Sequence, residues 1–108
     1  MTSNEYQKEA LRKASGMSKE YPLILNGVLG LVGESGECLD IVKKHLFQGH
    51  ELDTEHLAEE LGDVAWYLAV AARAIGYDLD TILQGNVDKL RKRYPAGFDP
   101  ERSVHRDG

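Results

Sequence analysis

The 108-residue chain fits one domain with a modest core, and 42% hydrophobic against 29% charged residues is the balance of an ordinary soluble globular protein. Acidic residues outnumber basic ones by 18 to 13, giving a net charge of -5, which argues against binding nucleic acid through its phosphates. Cys38 is the single cysteine, so an intrachain disulfide is excluded and a reducing cytoplasm is the expected compartment.

The opening stretch, MTSNEYQKEALRK, lacks the apolar core of a signal peptide. No apolar run approaches the ~20 residues of a membrane span. A first helix is predicted from about Ser3 to Gly16. Thr2 and Glu5 have the spacing of a capping box, and Tyr6, Ala10, Ala14 and Met17 form a weak apolar stripe. MSKEYP breaks the pattern. Pro22, suited to a first turn, opens a second helix that runs to about Phe47. Its stripe is Leu25, Val28, Leu29, Val32, Leu39, Val42 and Leu46, and Gly49 is the expected stop. Cys38 lies in this apolar stretch and reads as a buried, inert thiol.

After the loop GHELD a third helix begins at Asp53 or Thr54 and ends near Gly76. A fourth, capped by Asp78 or Asp80, runs to about Arg93, where Pro95 and Gly97 end it. DPERSVHRDG reads as a polar tail. The expected fold is therefore all-α. It is a bundle of about four helices forming one domain over residues 1–98, with a tail over 99–108 and no strand or repeat.

Two pairs of carboxylates break the pattern of these helices. Residues three apart lie about 60° apart around a helix, so Glu34 and Glu37 are neighbours, on a face shared with Gly30 and Ile41. Glu60 and Asp63 repeat the arrangement on the third helix, with Val64, Tyr67, Val70, Ala71 and Ala74 on their face, while Trp66 and Arg73 point elsewhere. Glu55 and Glu59 are ordinary solvated charges. The other four lie on apolar faces, where ionised and unpaired carboxylates cost several kcal/mol each. No Lys or Arg stands beside them on those faces, so a cation is expected between the pairs. All-carboxylate ligands suit a hard ion, Mg²⁺ or in its place Mn²⁺. The Glu-x-x-His signature of di-iron bundles is absent. Asp53-x-x-His56 occurs once at a helix start and needs no metal to explain it, and His45 and His50 read as surface or loop residues.

Gly27, Gly30, Gly33 and Gly36 recur every third residue, each costing about 1 kcal/mol against Ala in a helix interior. They serve close helix packing, room for a ligand beside Glu34 and Glu37, or both. The fourth helix supplies the opposite sign. Asn86, Lys89 and Arg93 share a face at spacings of three and four. Carboxylate-held metal with a cationic, amide-bearing face is what a polyphosphate requires.

These residues together resemble the MazG-like all-α nucleoside triphosphate pyrophosphohydrolases. The family motif is Glu-x-x-Glu, about two dozen residues, then Glu-x-x-Asp. Here it reads Glu34-x-x-Glu37, 22 residues, then Glu60-x-x-Asp63, flanked by LGLVGESGE, EELGDVAWYL and NVDKLRKRYPAGF. The likeness covers roughly Tyr6 to Phe98. The resemblance implies hydrolysis of the α–β phosphate bond of a (d)NTP to a nucleoside monophosphate and pyrophosphate. It implies Mg²⁺ on Glu34, Glu37, Glu60 and Asp63, with one acid orienting the water. Lys44, Asn86, Lys89, Arg93 and Tyr94 are then candidates for phosphate or base contacts, and a homodimer or homotetramer is the expected assembly. No nucleic-acid or membrane partner is expected. Apolar residues beyond the main stripes (Leu31 and Ile41, Trp66 and Ala69) point to the same assembly. A phosphoribosyl-ATP pyrophosphohydrolase is the alternative enzyme, and a non-catalytic helical interaction module the alternative of another class.

Overall fold

The computed structural model describes residues 1–14, 22–97 and 100. Four helices occur in it: α1 (Ser3–Ala14), α2 (Leu23–Phe47), α3 (Thr54–Ala74) and α4 (Leu79–Arg93). Among the described residues there is no strand, only an isolated bridge between Pro95 and Gly97. Met17, predicted to extend the first stripe, and the tail beyond residue 100 lie outside the described residues.

The helix ends follow from local chemistry. Thr2 Oγ1 accepts from the Glu5 backbone N–H at 3.1 Å, one half of the predicted box. Pro22 occupies the N-cap of α2, one residue earlier than a first-turn position. Gly49, with φ of 75°, turns the chain after α2 in a conformation few other residues adopt. Asp53 caps α3 by accepting from the His56 N–H at 3.1 Å.

The start of α4 is built differently from expectation. Asp78 sits at its N-cap but makes no side-chain cap bond, and its carboxylate lies 3.5 Å from Arg73. The free N–H groups of the first turn are instead taken by α1. Gln7 Oε1 accepts from Leu79 at 2.9 Å and Asn4 Oδ1 accepts from Asp80 at 3.0 Å. The buried Gln7 amide also donates to the carbonyls of Ala69 and Tyr77, both at 3.1 Å. Its polar atoms are thus matched, as a buried amide requires.

α3 is the centre of the fold. α1 packs on one side of it, with Ala10, Ala14, Ala69, Val70 and Leu79 buried together and Tyr6, Trp66 and Leu68 against them. α2 packs along another side, antiparallel. Gly27 meets the Ala71 backbone, Gly30 lies beneath the Tyr67 ring, and the next turn brings Glu34 to Glu60 and Asp63. The two glycines let the helices approach, since a Cβ at Gly27 would stand 2.9 Å from Ala71 Cα and one at Gly30 would overlap the ring. A Cβ at Gly33 or Gly36 would meet nothing within 4 Å, so close packing explains only half of the series.

The apolar surplus lies elsewhere than predicted. Ile41 and Ala69 are buried within the chain, and Leu31 and Trp66 are half-buried. The main stripe of α2 is the exposed one, with Leu29, Val32 and Leu39 at 62%, 67% and 66% exposure, and Leu83, Val87 and Leu90 of α4 are exposed as well. The radius of gyration of 16.8 Å exceeds the roughly 13 Å of a compact domain of this length. Cys38, expected to be buried, is half-buried.

Candidate functional site

The α2–α3 crossing that the glycines permit ends in carboxylates. Glu34, Glu60 and Asp63 each offer an oxygen within 4.8 Å of the others. Glu34 and Glu60 are half-buried and Asp63 is exposed. Glu37, one turn beyond Glu34, is exposed and stands outside this group, so three of the four motif acids meet in the single chain and the fourth flanks them. The expectation that all four lie on covered faces is corrected by the exposure of Glu37 and Asp63, since α2 and α3 bury only the Glu34–Glu60 side of the cluster.

The electrostatics are those of anions without a counter-charge. The Glu34 carboxyl is raised from 4.5 to about 7, first by the hydrogen bond it shares with Glu60, then by partial loss of hydration and by the charges of Glu60, Asp63 and Glu37. A proton on Glu34 removes one negative charge from the cluster and supplies the hydrogen bond to Glu60. Tyr6 of α1 reaches the rim. Its hydroxyl donates to the Gly62 carbonyl at 3.3 Å, and burial, followed by the Asp63 charge, pushes its pKa up.

Glu60 is the most constrained of the three acids, its side chain 16% exposed. Oε1 lies 3.3 Å from His56 Nε2, and Oε2 is buried with no hydrogen-bond partner. An orphaned buried carboxylate oxygen beside two further carboxylates, an all-oxygen set, is matched by a hard divalent cation. Sequence reasoning passed over His56, although its i,i+4 spacing to Glu60 on one helix was visible. Tyr6 gave no such signal, because its approach depends on how α1 lies on α3.

The remaining predicted residues stand apart from the carboxylates. Lys44 pairs with Asp40 one turn back at 3.2 Å. Asn86 and Lys89 are exposed on α4, and among the described residues no hydrogen bond or ion pair ties them to the three acids. Arg93 and Tyr94 are half-buried at the end of α4. Tyr94 lines a cleft of about 400 Å³ with Val87, Leu90, Arg91 and Gly97. Of the aromatic residues considered for base stacking, Trp66 and Tyr67 pack edge to face at 4.7 Å, and Phe47 is exposed. His45 and His50 are exposed, joined by a contact of 2.8 Å from His45 Nδ1 to the His50 carbonyl.

With the crossing and its acids in place, comparison with known proteins decides the family. The family model for the MazG nucleotide pyrophosphohydrolase domain matches residues 25–98. The chain belongs to the MazG family. The match takes in α2, α3 and α4, and so includes all four acids of the MazG motif. The Gene 37 protein of Mycobacterium phage L5 is 41% identical over 73 residues. That alignment covers 64% of this chain and 64% of the phage protein, whose name states no activity. No solved structure matches the chain. No helix among the described residues is long and apolar enough to cross a membrane. The all-α fold is the one expected of a MazG domain.

Proposed function

We propose that this chain hydrolyses the α–β phosphate bond of a nucleoside triphosphate, releasing a nucleoside monophosphate and pyrophosphate. The observation that carries the reading is the meeting of Glu34, Glu60 and Asp63 within 4.8 Å at the acidic positions of the MazG motif. These three, with Glu37 on the adjoining turn, would hold Mg²⁺ or in its place Mn²⁺. Bound there, the cation would offset charge on the phosphates and acidify water.

The chain's own residues do the rest. The crowded carboxylates of α2 and α3 create the negative potential that recruits the cation, and the covered side of Glu60 keeps bulk water from competing. A carboxylate oxygen left outside the coordination orients the attacking water and takes its proton. Phosphoryl chemistry of this kind depends on positioning and charge, not on a covalent nucleophile. Lys44, Asn86, Lys89 and Arg93 are the proposed phosphate contacts, and Tyr94 with its apolar cleft is the proposed base contact.

The open arrangement and the bare stripes of α2 and α4 support a homodimer or homotetramer. The net charge of -5 and the single cysteine support a cytoplasmic enzyme of nucleotides with no nucleic-acid or membrane partner.

The test is a panel of canonical and modified (d)NTPs with Mg²⁺, read by product. Monophosphate and intact pyrophosphate are expected. Diphosphate and single phosphate would overturn the assignment however fast the turnover.

A further inference from the structure

His56 stands one turn before Glu60 on the same face of α3. Its backbone N–H is occupied by the Asp53 cap, but the imidazole plays no part in that cap and reaches along the helix to Glu60. The Glu60 carboxylate is thereby divided. Oε1 lies 3.3 Å from His56 Nε2, and Oε2 is buried with no partner of its own. The same carboxylate lies within 4.8 Å of Glu34 and Asp63. A carboxylate free to rotate would present either oxygen, or both, to its neighbours. One pinned by a donor presents the other. With a proton on Nε2, that ring nitrogen would have no lone pair for a metal, and the imidazole would act through the carboxylate and not as a ligand.

We propose that His56 is a positioning residue, whose Nε2–H holds Glu60 Oε1 and thereby leaves Oε2 as the oxygen available to the divalent cation that Glu34, Glu60 and Asp63 would hold. The inference rests on the metal-dependent reading of the site given above. It adds a residue outside the four acids of the motif. Loss of a hydrogen-bond partner behind a metal-binding carboxylate lowers affinity about 10–100-fold in comparable sites.

The test compares the full chain with His56→Ala and His56→Gln. Gln is chosen because its amide nitrogen stands about where Nε2 does and can donate to Oε1. Mn²⁺ affinity is measured by calorimetry at about pH 8, and melting in chelator checks that each variant folds. His56→Ala is expected to bind Mn²⁺ at least about tenfold more weakly, and His56→Gln within about threefold of wild type. Nitrogen-15 spectra of the metal-free protein are expected to show His56 protonated at Nε2, a readout independent of metal and of turnover. Wild-type affinity in His56→Ala, failure of His56→Gln to restore what Ala loses, or an imidazole protonated at Nδ1 alone would overturn the positioning role while leaving the metal site standing. A wild-type protein that takes up no Mn²⁺ would overturn the metal reading, and this proposal with it.

Discussion

Replacing Gly27 by Ala tests the contact on which the carboxylate cluster depends. The new Cβ would stand 2.9 Å from both Ala71 N and Ala71 Cα. Carbon contacts settle at about 3.5–4.0 Å, so α2 and α3 must part here by roughly 0.6–1.1 Å, and backbone atoms cannot swing aside as a side chain would. Overpacking of this kind costs about 1–3 kcal/mol. Better helix propensity returns about 1 kcal/mol. The net loss is about 0–2 kcal/mol, a fall in Tm of up to about 16 °C for a chain of this size. Gly33→Ala is the control on the same helix. It meets nothing within 4 Å, so only the propensity gain of about 1 kcal/mol remains and Tm rises by about 4–8 °C. Circular dichroism melts in chelator, at one fixed protein concentration, measure both. Mn²⁺ calorimetry on Gly27→Ala adds a functional readout, since parting the helices two turns from Glu34 separates its carboxylate from Glu60 and Asp63. A Gly27→Ala protein that melts at or above wild type, with Gly33→Ala below it, would refute the account of how α2 seats on α3.

Asp63→Asn removes one charge at constant shape. It is expected to weaken Mg²⁺ binding and cut turnover by at least about a hundredfold, with no loss of melting temperature in chelator, because it relieves repulsion among close acids. Glu34 makes stability depend on pH. Its carboxyl titrates near 7 folded against 4.5 ordinarily, so between those values the folded state binds more protons than the unfolded one. Its contribution is therefore full below 4.5 and is lost as the pH rises through about 7. Melts of the metal-free protein from about pH 5 to pH 8 should show wild type losing ground to Glu34→Gln, and parallel curves would count against the shared proton. Val32→Asp and Leu39→Asp place charge on the bare stripe of α2 and should yield smaller particles by light scattering. Wild type running as an active monomer would remove the need for assembly.

The four helices were legible because their ends are written locally, in Asp53, Gly49 and the Thr2–Glu5 spacing. The carboxylate faces were legible for a related reason: a three-residue spacing fixes adjacency on a helix whatever packs against it. Legibility stopped where two helices meet. Periodicity gave the Leu25–Leu46 stripe of α2 no direction, and α3 in fact takes the face of Gly27, Gly30, Glu34 and Ile41. Small residues permit a closer approach than leucines would, and that closeness outweighed apolar area. Glu37 is exposed because it lies about 60° round the helix from Glu34, whereas Ile41, nearly in line with Glu34, is buried. Gln7 and Asn4 gave no sign of their role, because a polar residue on an early helix resembles a solvated one until its distant partners are known.

The clasp formed by Asn4 and Gln7 hangs the start of α4 on α1. The carboxylates meet where α2 crosses α3. The aim of the cationic helix, α4, is set from α1, through bonds to the turn at Tyr77 and to Leu79 and Asp80. Substitution at position 4 therefore bears on the start of α4 alone, whereas Gln7 also holds the Ala69 carbonyl of α3. The heading of α4 is thus written in two amides at the far end of the sequence, 72 and 76 residues from the N–H groups they receive.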